Sequence, residues 1–240
     1  MRDTLHEHRR VWESKAVLRA VYADYYRRIA RWSRPGTTVE IGGGTGNLKA
    51  YLGHVIATDI QHAPWLDVVA DAQRLPFADR SLANIVVFDV LHHLERPLRF
   101  FREAVRTLAP GGRIIVLEPG ITPLSGFLYR RFHPEPVDMD ADPFVDGEPT
   151  PGRDPYLSNQ AIPQLMLLRY RMRWQALFPE LRVRASERLG LFAYPLSGGF
   201  RPWSLLPAGA VPALLAIERG LAPLLGPLLA FRLFVVIERA

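Results

Sequence analysis

The sequence predicts an α/β fold in which helices cover both faces of a mostly parallel sheet. Three observations support this prediction. Short β-rich runs alternate with helix-like segments between residues 37 and 118, a glycine cluster separates the first run from the next helix, and a nearly all-apolar run closes the chain. A length of 240 residues fits one large domain with a small appendage.

The elements follow in a regular order. Apolar side chains at helical spacing predict one or two N-terminal helices, which Arg34-Pro35-Gly36 ends. The predicted helices cover residues 5–32, 47–52, 97–108 and 159–178. The predicted strands cover residues 37–41, 54–59, 68–70, 85–88, 113–117, 181–185 and 232–238.

The chain divides into three regions within one integrated domain. Residues 1–36 are the predicted N-terminal helical cap, and residues 37–120 are the predicted ligand-binding core. Residues 121–240 hold a substrate-side lid, the closing strands and an apolar helical insertion. The lid is expected in 121–155, since long connections rich in proline and aspartate in compact domains are often binding segments.

The apolar insertion covers residues 203–229 and is interrupted by four prolines and by Glu218-Arg219. No uninterrupted run reaches the roughly 20 residues needed to cross a bilayer. We expect this segment either to cap a hydrophobic ligand, to touch a membrane surface with the help of nearby arginines, to extend the core or to form a dimer interface.

Composition excludes some classes of site. The chain has no cysteine, so disulfides, thiolate nucleophiles and cysteine-ligated zinc are ruled out. A net charge of +6, almost wholly from arginine, is compatible with nucleic acid, anionic lipid or an anionic substrate. The first ten residues lack the apolar run of a secretory signal, so we expect the protein in the cytoplasm, with a possible peripheral position on the inner face of the membrane.

The glycine cluster follows the first predicted strand as Val39-Glu40-Ile41-Gly42-Gly43-Gly44-Thr45-Gly46. Glycines at such a turn tolerate positive φ and let a nucleotide approach the backbone closely. The dinucleotide fingerprint G-x-G-x-x-G fails here, because Asn47 stands at its third glycine position. Asp59 ends the second strand, where one carboxylate can accept from both hydroxyls of a ribose.

An acid before G-x-G-x-G resembles the first motif of the class I S-adenosylmethionine-dependent methyltransferases. Further matches to their small-molecule branch, called type 11 or UbiE-like, are Asp71-Ala72 before Leu75-Pro76-Phe77, the run 88–94 and the run 108–113. The resemblance covers about residues 39–118 and implies a Rossmann-like fold with S-adenosylmethionine as cofactor. Leu82-Ala83-Asn84 replaces the Phe-Asp that many relatives carry before the fourth strand.

The resemblance also implies a set of cofactor contacts. Glu40 is expected near the cofactor's amino-acid end, Asp59 at the ribose, and Asp71 with the amide of Ala72 at the adenine. His93 is expected mainly to line the methionine end, and it is the one candidate catalytic residue. The full implied set is Glu40, Gly42, Gly43, Gly44, Gly46, Asp59, Ile60, Asp71, Ala72, Phe88 and His93.

Methyl transfer from a sulfonium needs mainly alignment, desolvation and charge stabilisation, because the donor is already activated. A general base is required only if the acceptor arrives protonated, and His93 can then serve. His92 is expected to be a packed or surface side chain. The tyrosines of the N-terminal helices either pack in the core or close over the sulfonium by cation–π contact; they are Tyr22, Tyr25 and Tyr26.

An acid-rich stretch within the predicted lid resembles the ligand set of a hard cation. Its members are His133, Glu135, Asp138, Asp140 and Asp142. The alternation of proline and aspartate is also typical of a loop exposed to solvent. We favour this second interpretation, so the sequence predicts no metal ion.

The predicted function is transfer of a methyl group to O, C or N of a small, hydrophobic or lipid-like acceptor. An NAD(P)-dependent oxidoreductase is disfavoured by Asn47 and by the absence of a Tyr-x-x-x-Lys pair. The alternative hypothesis of a nucleic-acid methyltransferase is supported by the positive net charge alone, and no specific nucleic acid is expected as a partner. A cofactor-binding protein without activity remains a fourth hypothesis, and the sequence leaves the oligomeric state open.

Overall fold

In the computed structural model, which describes residues 4–240, seven strands form one sheet in the order β3-β2-β1-β4-β5-β7-β6. The strands are β1 Thr38–Ile41, β2 Val55–Asp59, β3 Val68–Val69, β4 Leu82–Phe88, β5 Leu108–Pro119, β6 Leu181–Leu189 and β7 Arg232–Arg239. Strand β7 runs antiparallel to β5 and β6, and the remaining pairings are parallel. The predicted fold class is therefore confirmed.

Helices lie on both faces of the sheet. They are α1 Thr4–Ser14, α2 Ala16–Trp32, α3 Pro97–Thr107, α4 Pro123–Phe132, α5 Ile162–Gln164, α6 Arg171–Leu177, α7 Ala193–Ser197 and α8 Val211–Leu229. Single 3₁₀ turns cover Asn47–Ala50, Leu91–His93 and Ala208–Ala210. The predicted N-terminal helices are present, although residues 1–3 of the predicted cap lie outside the described residues.

One face of the sheet is covered by α3 and α6. Phe101 of α3 places its ring 5.3 Å from that of Trp174 and 5.4 Å from that of Phe178. Pro97 starts α3, where its missing N–H costs no helical hydrogen bond. These aromatic side chains are buried against the sheet, and their burial is a large stabilising term of this half of the core.

The other face is covered by α2. Its buried side chains recur at helical spacing and face β4, β5 and β7; they are Val17, Leu18, Val21, Tyr22, Tyr25, Tyr26 and Ile29. Tyr22 stacks on Phe88 with ring centroids 5.2 Å apart. The three tyrosines therefore pack in the core, which was one of the two interpretations of the sequence.

Helix α8 corrects the expectation of a segment broken by proline. It continues for 19 residues through Pro223 and Pro227. Each proline lacks the N–H that would bond the carbonyl four residues earlier, and those carbonyls belong to the exposed residues Arg219 and Pro223. Water can satisfy them there, so the helix survives.

Two other predicted helices are shorter or less regular than expected. The segment 47–52 forms only the 3₁₀ turn, because Gly53 and the left-handed His54 (φ 55°) end it within a few residues. The helix predicted over 159–178 contains a π turn at Leu165–Arg169, where Tyr170 N–H donates to the Leu165 carbonyl over 2.8 Å.

The connection from β5 to α5 contains α4, which the sequence analysis missed. After α4, the irregular chain of residues 133–161 runs back across the carboxyl edge of the sheet. It is fastened by Arg102 with Asp146, and by Glu95, which accepts from Thr150 N–H and Oγ1–H over 2.8 Å each. This path places Glu135 beside the residues that follow β4.

Candidate functional site

Acidic side chains meet at the carboxyl edge of the sheet. Glu40 lies in β1, Asp59 ends β2, Asp89 follows β4 and Glu118 lies near the end of β5. Strands β1 and β4 are neighbours at the point where the strand order reverses, and open α/β sheets bind ligands at that point. The fold therefore gathers these four residues where a ligand is expected.

The glycine loop turns sharply out of β1 at Gly42. Its φ is 65°, and a Cβ there would lie 2.1 Å from Val90 Cγ2, so any other residue would be strained and would have to displace the Val90 side chain. Gly44 and Gly46 also have positive φ, at 48° and 71°. The loop thus exposes backbone rather than side chains to its ligand side.

Glu40 is buried directly behind this loop. Only 3% of the residue is exposed, and Oε2 has no hydrogen-bond partner. Burial raises the pKa of Glu40 from 4.5 to about 8, against the attraction of Lys49 and with the repulsion of Asp59. An orphaned buried carboxyl oxygen is the kind of group that a bound cationic ligand would satisfy.

The raised pKa of Glu40 predicts that the stability of the folded protein falls as the pH rises. Stability from the neutral carboxyl is fully present below pH 4.5 and is lost as the pH rises through about 8. Glu40→Gln removes the ionisable group, so we expect the variant to be more stable than the parent by about 2 kcal/mol near pH 9, or roughly 4–8 °C in Tm. Near pH 5 the two Tm values are expected to converge.

The matched control is Glu180→Gln, since Glu180 is an exposed glutamate just before β6. The difference in Tm between this variant and the parent is expected to stay near zero at both pH values. Thermal denaturation followed by circular dichroism measures both variants. If the Glu40→Gln protein were less stable than the parent near pH 9, the conclusion that ionisation of the buried Glu40 destabilises the protein would be wrong.

Asp59 is held in place by backbone donors. Gly44 N–H donates to Oδ2 over 3.2 Å and Gln61 N–H donates to Oδ1 over 3.0 Å. Burial raises the pKa of Asp59, and the backbone hydrogen bonds act against that rise. Each oxygen retains a second lone pair, so the oriented carboxylate can accept from two neighbouring hydroxyls. Ile60 follows with 48% exposure and offers an apolar surface beside it.

Asp71 and Ala72 lie in the turn after β3. Asp71 Oδ1 accepts from the backbone N–H of Gln73 over 2.8 Å and from its side-chain amide over 3.3 Å. Ala72 is buried with 5% exposure. The turn is therefore ordered by Asp71, and its backbone lies near the same sheet edge as Asp59.

An ion pair between a buried arginine and a partly exposed aspartate lies beside the end of β4. Arg232 on β7 places Nη2 2.6 Å from Asp89 Oδ1, and only 2% of its side chain is exposed. The guanidinium also lies over the rings of Phe88 and Tyr194, at 5.5 Å and 5.0 Å from their centroids. Phe88 is itself 8% exposed, so its side chain packs in the aromatic core below the edge.

His92 lies between two carboxylates. Its Nδ1 is 2.6 Å from Glu118 Oε2 and its Nε2 is 3.3 Å from Glu135 Oε2. Burial acts to lower the pKa of His92, but Glu118 and Glu135 outweigh it and raise this pKa from 6.5 to about 10. His92 is therefore a buried cation in an ion-pair network, a more specific role than simple packing.

His93 has the opposite charge state. Burial lowers its pKa to about 4, and the charge on His92 adds to this effect. Its Nε2 lies 3.9 Å from Glu135 Oε1, and its Nδ1 is buried with no hydrogen-bond partner in the described chain. A neutral imidazole of this kind can accept a proton or ligate a metal.

Helix α1 lies over the glycine loop. Arg9 stacks on Trp65 with its guanidinium carbon 4.5 Å from the ring centroid, and its Nη1 donates to the Thr45 carbonyl over 3.4 Å. Trp65 Nε1 in turn donates to the Gly44 carbonyl over 2.7 Å. The N-terminal helix and Trp65 therefore brace the loop from outside.

The comparison with protein families agrees with this geometry. Residues 39–116 match the family model described as "Methyltransferase domain". This range contains the glycine loop, Asp59, Asp71, His92 and His93. This part of the chain is therefore similar to methyltransferase domains, and it lies in a sheet of the predicted Rossmann-like kind. The resemblance drawn from the sequence is thereby confirmed.

Curated relatives match part of the chain. A ubiquinone/menaquinone biosynthesis C-methyltransferase UbiE from Vibrio cholerae is 33% identical over an alignment length of 121 residues, and the match covers 39% of this chain and 46% of the relative. The enzyme of the same name from Ruegeria sp. is 32% identical over 116 residues, with the same shares. The chain thus aligns with about half the length of the curated relatives it matches.

Solved structures share the fold over almost the whole chain. A SAM-dependent methyltransferase from Archaeoglobus fulgidus superimposes with a TM-score of 0.51 at 14% identity, covering 92% of this chain and 93% of its own. A geranyl diphosphate C-methyltransferase from Streptomyces coelicolor gives 0.50 at 13% identity, covering 92% and 81%. At such identities the similarity establishes the fold.

The fold brings most of the predicted site residues to one edge of the sheet. Glu40, the four loop glycines, Asp59 and Ile60 lie around the turn after β1, and His93 lies after β4. The sequence analysis missed several residues that surround them, which are Arg9, Trp65, Asp89, Glu118 and Arg232. Two of them had a readable signal, since Glu118 lies near the end of the strand next to β4 and Asp89 directly follows β4. Arg9, Trp65 and Arg232 approach from other parts of the chain.

Proposed function

We propose that the protein transfers the methyl group of S-adenosylmethionine to a small acceptor. The observation that carries this proposal is the pair of buried carboxylates, Glu40 and Asp59, on either side of the glycine loop. The unsatisfied Oε2 of Glu40 suits the cofactor's α-amino group, and the oriented oxygens of Asp59 suit the two ribose hydroxyls.

The remaining contacts follow from the position of the loop. The backbone of Gly42, Gly43, Gly44 and Gly46 would line the cofactor. Ile60 would cover one face of the adenine, while Asp71 and the Ala72 amide would meet its edge. Phe88 would contribute through backbone atoms, since its side chain is packed against Tyr22.

S-adenosylmethionine supplies an activated methyl group for in-line displacement, so the chain's own residues need to align the acceptor, exclude water and manage its proton. His93 is the candidate for the last task. Its low pKa keeps the imidazole neutral at physiological pH, and a neutral imidazole can take a proton from a hydroxyl acceptor. Only 19% of the His93 side chain is exposed, so the 133–161 connection would limit the access of water to it.

We propose an apolar or lipid-like acceptor. The curated relatives are named for ubiquinone and menaquinone biosynthesis, and one structural neighbour is named for geranyl diphosphate. The regions 1–36 and 121–240, which lie outside the family match, would shape the acceptor side. A compound with a long apolar tail would also explain why apolar residues are exposed on α8.

Incubation of the full chain with methyl-labelled S-adenosylmethionine and a solvent extract of hydrophobic metabolites tests this function. We expect equal amounts of S-adenosylhomocysteine and a labelled organic-soluble product, detected by mass spectrometry. The His93→Asn variant is expected to lose turnover while keeping cofactor affinity. Tight cofactor binding without any labelled product from the extract would reject the enzyme and leave a binding protein.

We further propose that α8 places the protein on an anionic membrane surface facing the cytoplasm. Within the part of the chain that the structure describes, α8 and the preceding turn, Ala208–Leu229, form one helix long and apolar enough to cross a bilayer by length and composition, a test that core helices of soluble proteins also pass. Only a narrow stripe of α8, which includes Val211, Leu215 and Glu218, faces the protein. Its outer apolar side chains are left in solvent.

Exposed apolar groups continue from α8 onto α4, which it contacts. Leu224 and Leu228 are 76% and 53% exposed on α8, and Phe127 and Phe132 are 63% and 61% exposed on α4. Arginines border this surface, namely Arg130, Arg131, Arg201 and Arg219. An apolar face rimmed by cations fits a bilayer interface that carries anionic lipid.

Vesicle co-sedimentation measures this contact. The full chain is expected to bind vesicles that contain anionic phospholipid and to be released by salt. Leu224→Glu with Leu228→Glu is expected to weaken binding at least about 10-fold, since it puts charge on the apolar face. Met172→Glu is the matched control, because Met172 is 81% exposed on α6 against the opposite face of the sheet. Equal binding by both variants would contradict the proposal.

A further inference from the structure

Three potential metal ligands converge next to the end of β4. His92 Nε2 lies 3.3 Å from Glu135 Oε2, and His93 Nε2 lies 3.9 Å from Glu135 Oε1. One ligand atom from each residue can be chosen so that all three lie within 4.8 Å of one another. The two histidines come from the turn after β4, whereas Glu135 arrives on the connection after α4.

The donor set has the chemistry of a transition-metal site. Two imidazoles and one carboxylate suit Zn²⁺ and other first-row divalent ions, and such sites keep a position open for water or substrate. Metal–ligand distances of about 2.0–2.2 Å would require the ligand atoms to be roughly 3–3.5 Å apart. A small side-chain movement reaches that spacing, since Glu135 lies on a loop.

Glu118 orients His92 for this role. Its Oε1 accepts from the N–H groups of Val90 and Leu91 over 2.8 Å and 2.7 Å, which fixes the fully buried carboxylate. Its Oε2 then engages Nδ1 of His92 over 2.6 Å, so that Nε2 faces Glu135. A carboxylate on the far nitrogen of a histidine is the usual partner of a metal-ligating imidazole.

Gln160 orients Glu135, as Glu118 orients His92. The residue is 1% exposed, and its side-chain amide donates to Glu135 Oε2 over 3.1 Å and contacts His133 Nδ1 over 2.7 Å. Glu135 is thus held toward the two histidines, although it belongs to an irregular segment.

A second grouping of Asp89, His92 and Glu118 fits less well. Asp89 is committed to Arg232 at 2.6 Å, and both oxygens of Glu118 already accept hydrogen bonds. A metal ion there would have to take Asp89 away from the buried Arg232, which is costly because it leaves a buried charge without its partner.

We propose that His92, His93 and Glu135 bind one divalent first-row transition-metal ion, with Glu118 and Gln160 as positioning residues. This replaces the sequence expectation of a merely solvated acidic loop at Glu135. The proposal does not rest on methyl transfer as the function, but it excludes His93 as a base, because a metal ion on Nε2 takes the lone pair that would receive a proton. His92 is a cation in the metal-free protein and would release its Nε2 proton when the ion binds.

Metal binding is measured on the full chain after chelator treatment. Calorimetric titration with ZnCl₂ is expected to show one equivalent bound, and titration with CoCl₂ is expected to produce visible absorption bands from nitrogen-ligated Co²⁺. Glu135→Gln and His93→Asn are each expected to lower Zn²⁺ affinity at least about 100-fold, and Glu118→Gln about 10–100-fold.

The controls separate this site from scattered surface binding. Asp140→Asn changes an exposed acid on the same connection, and His62→Asn changes an exposed histidine; both are expected to bind Zn²⁺ like the parent. Circular dichroism confirms that each variant is folded. Absence of stoichiometric binding, or binding that Glu135→Gln and His93→Asn leave unchanged, would overturn the proposal and leave the cluster as an ion-pair network only.

Discussion

Replacing Asp59 by asparagine is expected to weaken binding of S-adenosylmethionine by about 100-fold, or ~2.8 kcal/mol. Each hydrogen bond from a hydroxyl to an ionised carboxylate contributes about 1.5–3 kcal/mol, and asparagine can accept only one of the two. The new amide would also point an N–H group toward Gly44 N–H or Gln61 N–H, both of which now donate to Asp59. Calorimetry measures the two dissociation constants.

The control for this variant is Asp79→Asn. Asp79 carries the same side chain on the surface, 73% exposed, where it pairs with Arg106. Its replacement is expected to leave the dissociation constant within about twofold, since exposed ion pairs contribute little. An Asp59→Asn protein that binds the cofactor as tightly as the control would remove Asp59 from the ribose position.

Glu118→Ala is expected to destabilise the protein by about 3–5 kcal/mol, the largest loss of stability among these predictions. The substitution leaves His92 buried at 4% exposure without its nearest carboxylate, and it orphans the N–H groups of Val90 and Leu91. Urea denaturation followed by fluorescence gives the free energy of unfolding. The control Glu148→Ala removes an 84%-exposed partner of Arg99 and is expected to cost less than about 1 kcal/mol.

The loss of stability caused by Glu118→Ala is expected to decrease as the pH rises. Because the pKa of His92 is raised from 6.5 to about 10, the stability that this charge provides is fully present below pH 6.5 and is lost as the pH rises through about 10. The difference between parent and Glu118→Ala should therefore be greatest near pH 6.5 and smaller near pH 10. A difference that grows with pH would contradict a cationic His92.

Local patterns predicted the fold around the glycine loop well. The glycine loop requires glycine at Gly42 because of its positive φ and the nearby Val90, and this requirement is visible as a motif. Asp59 was predicted because the end of β2 is next to β1 in a parallel sheet. Both features depend on residues close together in the chain, where sequence patterns carry the most information.

Contacts across long sequence distances could not be predicted in the same way. Arg232 reaches Asp89 from 143 positions along the chain, through the antiparallel pairing of β7 with β5. Glu135 joins His92 because the connection after α4 folds back over the sheet, and its fastening by Arg102 and Asp146 has no local signature. The acid-rich stretch was interpreted as a solvated loop, and the position of Glu135 beside His92 and His93 was not predicted.

Proline misled the interpretation of α8 for a physical reason. A proline breaks a helix when the freed carbonyl is buried, and the sequence does not tell which side of a helix faces water. In α8 the carbonyls freed by Pro223 and Pro227 are on exposed residues, so the helix continues and keeps its apolar surface outward. That surface is the basis of the proposed membrane contact.

Calorimetric titration of the intact protein with S-adenosylmethionine, S-adenosylhomocysteine and NADH tests the central claim most directly. The structure predicts one binding site per chain with micromolar affinity, about −8 kcal/mol, for both adenosyl compounds and no saturable binding of NADH. A folded protein that binds neither adenosyl compound, or that binds NADH to saturation, would contradict the assignment of the glycine loop, Glu40 and Asp59 to this cofactor.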